Sequence, residues 1–275
     1  MRHHHDDIFD RGLQFDMSTL LERRRVLGLF AGAGLASLVG CAGDSTGTAS
    51  TAASTSSASQ GATATGGGCA EIPEETAGPY PGDGSNGPNI LTQSGIVRSD
   101  IRSSIGSGSG TAAGVPLTIE LTVQDTSAGC SALSGAAVYL WHCDRDGNYS
   151  MYSESVTGEN YLRGVQETDG SGKVSFTSIF PACYPGRWPH IHFEVYPSLA
   201  KATTSDNKIA TSQVALPKDA CDMVYATDGY SESVRTLGEV SLDSDNIFSD
   251  GHTSQLGTMT GSVSSGLTVT LDVPV

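Results

Sequence analysis

The sequence predicts an all-β protein, a β-sandwich with long loops and little helix. Three observations predict it. Short segments alternate apolar and polar residues with period two, which places one set of side chains on each face of a strand. Clusters of Gly, Ser, Asp and Asn separate them, as in Asp169-Gly170-Ser171-Gly172. Beyond the first 40 residues no long stretch keeps the 3.6-residue period of an amphipathic helix. Many short strands without alternating helices indicate a sandwich rather than a parallel α/β sheet.

Taken in order, residues 1–40 read as an export signal. Arg23, Arg24 and Arg25 precede a short apolar run beginning at Val26, and small residues lead to a cysteine. Leu38-Val39-Gly40-Cys41 resembles a lipobox, which makes Cys41 the expected lipidation point. Residues 1–16 are expected to lie upstream of the true start at Met17, so His3, His4 and His5 carry no function. Residues 41–68 are the lipidated Cys followed by a Ser/Thr/Ala/Gly-rich tether. That composition cannot bury enough apolar surface to offset its ordering entropy. The expectation is a protein exported and lipid-anchored at the cell envelope or outside the cell, held to a membrane through Cys41.

Residues 69–275 are long enough for one domain. Strands are expected at 117–123 (LTIELTV), 136–141 (AAVYLW), 173–178 (KVSFTS), 189–196 (PHIHFEVY) and 267–273 (LTVTLDV). Residues 231–237 suit a short helix. A net charge of −15 excludes a nucleic-acid partner, whose phosphates would be repelled. Cys69, Cys130, Cys143, Cys183 and Cys221 show no CxxC zinc spacing. Export favours one or two disulfides among them, with the pairing open.

The chemistry concentrates in 181–197, PACYPGRWPHIHFEVYP. His190 and His192 project side by side on a strand, which is either a polar stripe or a pair of nitrogen ligands. A second donor source is the loop WHCDRDGNYSMYS at 141–153, with Tyr149 after a turn. Trp141 and His142 read as core packing and a hydrogen bond, His252 as a loop residue, and Asp243-Ser244-Asp245-Asn246 as a turn without the length of an EF-hand.

The order GNYS, YLRGVQETDGSGKVSFTSIFPACYPGR and WPHIHFEV resembles the intradiol ring-cleavage dioxygenases, the catechol and protocatechuate dioxygenase superfamily, and more closely their compact exported bacterial branch. The resemblance runs from about Ile72 to Leu216. It implies a sandwich core holding Fe(III) through two tyrosines and two histidines. Tyr149 follows a Gly-x before Ser, Tyr184 closes a Pro-x-x-Tyr turn, and Arg187, His190 and His192 fit an Arg-x-x-His-x-His strand. Tyr149, Tyr184, His190 and His192 are the implied metal ligands. The implied catalytic residues are Arg187, which stabilises charge on the ring, Tyr184, an axial ligand that can take a proton, and Gln213, which orients the site. Glu75-Thr76-Ala77-Gly78-Pro79-Tyr80 matches a segment that brings Tyr80 to the substrate pocket. The implied substrates are an aromatic diol and O2, and the product is a muconate-type diacid. An exported module that binds iron or catecholates without turnover is the alternative. Extradiol chemistry, with its facial two-His-one-carboxylate iron(II), fits the paired tyrosines poorly. Tyr184 and His190 stand only six residues apart, which is shorter than in familiar members and implies a shallow, open pocket. No amino-terminal helical segment is evident, so oligomeric state is left open.

Overall fold

The computed structural model describes residues 70–275. The signal, the lipobox at Cys41 and the tether lie outside the described residues.

Nine strands and two α-helices are found among these residues: β1 Pro116–Asp125, β2 Ser131–Ala132, β3 Ala137–Trp141, β4 Arg163–Glu167, β5 Lys173–Ile179, β6 His190–Tyr196, β7 Ala210–Ala215, α1 Lys218–Tyr225, α2 Ser231–Leu237, β8 Thr258–Ser262 and β9 Gly266–Pro274. They form two sheets. In the first, β1 is central, antiparallel to β5 and β2 and parallel to β9, which carries β8 on its far side. The second runs β4-β3-β6-β7, all antiparallel.

The alternation in β1 buries Leu117, Ile119, Leu121 and Val123. They join Phe176, Leu267 and Val269 of the same sheet and Val138, Leu140, Ile191, Phe193 and Val195 of the other in one apolar cluster. This is the filling of a β-sandwich.

The second sheet is also covered on its other face. All seven residues of β6 are buried, although four of them are polar or ionisable, or carry a hydroxyl. Ile191, Phe193 and Val195 enter the main core. His190, His192, Glu194 and Tyr196 occupy the opposite face, where Tyr139, Trp141 and Tyr196 pack with Ile90, Leu91 and Ile96 of the segment before β1. That segment is the lid under which the polar stripe lies.

The expected strands at 117–123, 136–141, 173–178, 189–196 and 267–273 correspond to β1, β3, β5, β6 and β9, and the helix expected at 231–237 is α2. β2, β7, β8 and α1 were not anticipated. ATSQVA and TMTGS are short and polar, without clean alternation, and take strand form through their neighbours. In α1, Pro217 opens a single apolar face of Ala220, Cys221, Val224 and Tyr225 that packs into the main core. Cys130 is disulfide-bonded, whereas Cys143, Cys183 and Cys221 are free and buried.

Candidate metal centre

Three segments deliver the site. β6 projects His190 and His192 from one face. The loop after β3 brings Tyr149, whose N–H donates to Ser153 Oγ at 3.0 Å. The turn before β6 brings Tyr184, with the Arg187 N–H donating to the Tyr184 carbonyl at 3.3 Å. Gly186 takes φ +81° in that turn, a conformation that suits glycine. α2 fixes the same turn, since Ser233 Oγ accepts from the Cys183 N–H at 3.0 Å and Thr236 donates to the Cys183 carbonyl.

The four side chains meet. Tyr149 Oη lies 3.4 Å from Tyr184 Oη, 3.4 Å from His190 Nε2 and 3.3 Å from His192 Nε2. Tyr184 Oη is 3.2 Å from His190 Nε2, and the two Nε2 atoms are 3.1 Å apart. Tyr149, His190 and His192 are buried, while Tyr184 is half-buried and marks an accessible side.

The electrostatics suit a cation. Burial first, then Arg187, holds His190 well below the usual imidazole range; burial, then His190 and Arg187, does the same to His192. Both rings are therefore neutral and have lone pairs to give. His190 Nδ1 donates to the Trp188 carbonyl at 2.5 Å, which turns the Nε2 lone pair inward. His192 Nδ1 is buried with no hydrogen-bond partner, so neither neutral tautomer satisfies both of its nitrogens within the protein. Burial, and then Tyr184 and Cys143, push the Tyr149 phenol well above its usual range. Its phenolate needs a nearby positive charge.

Tyr149, Tyr184, His190 and His192 could therefore hold a metal ion. Among the described residues no group of three or more His, Cys, Asp or Glu side chains could do so. A site here would draw on the phenols as well as the imidazoles, and hard anionic oxygen donors beside imidazoles favour a ferric ion. The donor set fits Fe(III).

Around the four lies a second layer. The Arg187 guanidinium is 4% exposed and donates through Nε to Asp245 Oδ2 at 3.0 Å and through Nη2 to Gln213 Oε1 at 2.7 Å. Gln213 Nε2 in turn donates to the Thr76 carbonyl at 3.2 Å. Tyr80 is half-buried, its ring centroid 5.0 Å from that of Tyr149 and 5.2 Å from that of Tyr152. Gly78, at φ +69°, passes over the His192 ring, and a Cβ there would stand 3.5 Å from Cε1. Every site residue expected from the sequence is brought into this neighbourhood, except Cys41, which lies outside the described residues.

Sequence reasoning missed three residues. Asp245 does sit in a turn, but it is the buried carboxylate that holds Arg187. Trp141 stacks on His192 with centroids 4.9 Å apart and planes 5° from parallel. Arg163 is buried between the lid and the Tyr149 loop. Polar residues around 245 gave no signal of burial. Arg163 could have been flagged as a cation set directly between Leu162 on one side and Gly164 and Val165 on the other, all buried.

Residues 86–210 match the dioxygenase family. That stretch contains Tyr149, Tyr184, Arg187, His190 and His192, and ends before Gln213. Catechol 1,2-dioxygenase 2 of Acinetobacter lwoffii is 35% identical over 94 residues, covering 27% of this chain and 34% of that protein. Chlorocatechol 1,2-dioxygenase of Rhodococcus opacus is 37% identical over 60 residues, covering 22% and 23%. The chain thus spans about a third or less of the length of these curated relatives. An intradiol ring-cleavage dioxygenase from Tetranychus urticae superposes with a TM-score of 0.58 at 24% identity, over 75% of this chain and 94% of that one. At that identity the likeness is one of fold, a shared β-sandwich.

Proposed function

We propose that the protein is an exported non-haem iron(III) dioxygenase that cleaves catechol-type rings between the two hydroxylated carbons. The reaction consumes one diol and one O2 and places both oxygen atoms in a muconate-type diacid, so it needs no external reductant. The observation that carries this reading is the meeting of two phenols and two imidazoles within 3.1–3.4 Å, with Arg187 anchored behind them. When bound there, Fe(III) supplies Lewis-acid activation of a chelated diol toward O2.

The chain's own residues do the rest. Tyr184, the half-buried donor, would be held as a phenolate by the bound ion and could take a proton from the entering diol at Oη. His190 and His192 remain neutral through their burial and hold their lone pairs inward. Arg187, fixed by Asp245 and Gln213, presents a positive charge to the ring as negative charge develops on it. Tyr80 forms an aromatic wall beside Tyr149. Anchorage through a lipid on Cys41 keeps the domain at the envelope, and no helix among the described residues is long and apolar enough to cross a membrane.

The test is an optical spectrum of the iron-loaded protein before and after anaerobic catechol, followed by admission of O2. A visible tyrosinate-to-iron band that moves to longer wavelength, then a muconate product, is the expected result. A shifted band without O2 uptake would make the protein a catecholate-binding module. A colourless protein with stoichiometric iron would remove Tyr149 and Tyr184 as ligands.

A further inference from the structure

Arg163 is 1% exposed, yet it uses every donor it has. Nε donates to Ser150 Oγ at 3.1 Å. Nη1 donates to the Pro81 carbonyl at 2.8 Å and to Tyr139 Oη at 3.1 Å. Nη2 donates to the Tyr80 carbonyl and to the Ser150 carbonyl, both at 2.9 Å. These five bonds exhaust a guanidinium's five N–H groups, and every acceptor is a neutral oxygen. The fork also lies over the Tyr152 ring, 5.4 Å from its centroid. Tyr152 Oη accepts from the Gly82 N–H at 2.8 Å. A Cβ on Gly82 would come within 2.9 Å of Nη1, so that glycine lets the lid backbone close over the cation.

Three of the five acceptors are informative. One is the carbonyl of Tyr80 itself, and the other two belong to Ser150, the residue after Tyr149. Arg163 therefore ties the backbone of the pocket wall to the backbone of a ligand loop, fixing two rings whose centroids stand 5.0 Å apart. Tyr139 doubles the tie, since its hydroxyl donates to the Pro81 carbonyl at 2.6 Å. A lysine, with one point charge and three donors, cannot reproduce this planar fork.

We infer that Arg163 is a positioning residue for the reaction proposed above: by locking the Tyr80 wall to the Tyr149 loop it sets the opening that admits the aromatic diol. The inference rests on that reading. It predicts a loss in diol binding more than in chemistry, because the reacting groups around Arg187 are held from the opposite side of the site.

The experiment compares wild type, Arg163→Lys and Tyr139→Phe as full chains. Three quantities are measured: the Kd for 4-nitrocatechol by anaerobic visible titration, KM and kcat for catechol, and limited proteolysis of the metal-free protein. Arg163→Lys should weaken Kd and raise KM by about tenfold while kcat stays within about threefold, misplacement of a wall being felt mainly in binding. New cleavage should fall in the lid between residues 76 and 91. Tyr139→Phe keeps the guanidinium and removes one tie, so a rise of about threefold in the same direction is expected. This second variant serves if the lysine variant does not fold. A folded variant with wild-type Kd, wild-type KM and an uncut lid, even if less stable, would overturn the inference and leave Arg163 a structural staple. A wild type that binds no diol would instead overturn the proposed function, while lid release in metal-free Arg163→Lys would still support the lock.

Discussion

The Asp245→Asn variant probes how Arg187 is held. Asp245 is fully buried and accepts four hydrogen bonds: from Arg187 Nε at 3.0 Å and the Trp188 N–H at 2.6 Å on one oxygen, and from the Ile247 and Phe248 N–H groups at 2.8 and 3.2 Å on the other. An asparagine has the same shape but one acceptor oxygen. Whichever way the amide faces, its NH2 meets two N–H donors, and the carboxylate charge beside the guanidinium is gone. Removing one partner of a buried ion pair costs about 3–5 kcal/mol. That is a large part of the roughly 5–15 kcal/mol that holds a typical domain folded. With a urea slope of about 2–3 kcal/mol/M, the midpoint should fall by about 1.5 M. Turnover should fall with it, since Arg187 would no longer be aimed.

The second variant makes the reasoning specific. Gln213 Oε1 already accepts from Arg187 Nη2 at 2.7 Å. Adding Gln213→Glu to Asp245→Asn returns a carboxylate to the guanidinium on its other side, and should recover about half of the lost midpoint. A midpoint shift under about 0.4 M in Asp245→Asn, with turnover intact, would refute the reasoning, because the guanidinium would then not depend on this carboxylate.

Further expectations follow from the same geometry. Tyr149→Phe should lose most of the visible band and bind iron more weakly; unchanged colour and metal content would remove Tyr149 from the ligand set. Gly78→Ala places a side chain at φ +69° over His192, which should cost about 1–2 kcal/mol and lower the Tm by a few degrees in a calorimetric scan. Burial pushes His142 down to about 4 from 6.5, so as pH falls through that window the unfolded chain takes a proton the folded one refuses, and stability drops by about 1.4 kcal/mol per pH unit. Burial pushes Glu194 up to about 7 from 4.5, so its contribution has the opposite sign and stability drops as pH rises through that window. The two slopes offset each other between 4.5 and 6.5 in the wild type. Urea midpoints across this range should therefore fall on acidification in Glu194→Gln and on alkalinisation in His142→Gln, and two parallel profiles would show the assignments wrong.

Much of this was legible in the chain because strands with clean alternation declare both their form and their faces. LTIELTV in β1 is such a strand, and the motif residues around β6 announce the donors. β7 was not legible: ATSQVA mixes small and polar residues without clean alternation, yet all six residues are buried, with Ala210 and Val214 in the main core, β6 along one edge and the segment at 73–75 hydrogen-bonding along the other. Asp245 was illegible for the same reason. A run of Asp, Ser and Asn reads as solvent-facing, and only the Arg187 guanidinium explains why one of those aspartates is completely buried. Where a polar residue's partner is another polar residue far along the chain, hydropathy cannot see the pair.

The histidine pair shows the same limit from the other side. On a sheet with one solvated face, His190 and His192 would be a polar stripe and no more. Here the lid makes the sheet two-sided, and a single rank crosses all four of its strands: Arg163 opposite Trp141, Trp141 opposite His192, His192 opposite Gln213. A guanidinium tied to the lid closes one end of that rank, and Gln213, bonded to a second guanidinium, closes the other. The imidazole in the middle is stacked on an indole and cannot turn toward water. Each neighbour would be an ordinary packing residue on a solvated sheet. Burial from both sides makes them the frame that holds His192 Nε2 aimed at the Tyr149 hydroxyl.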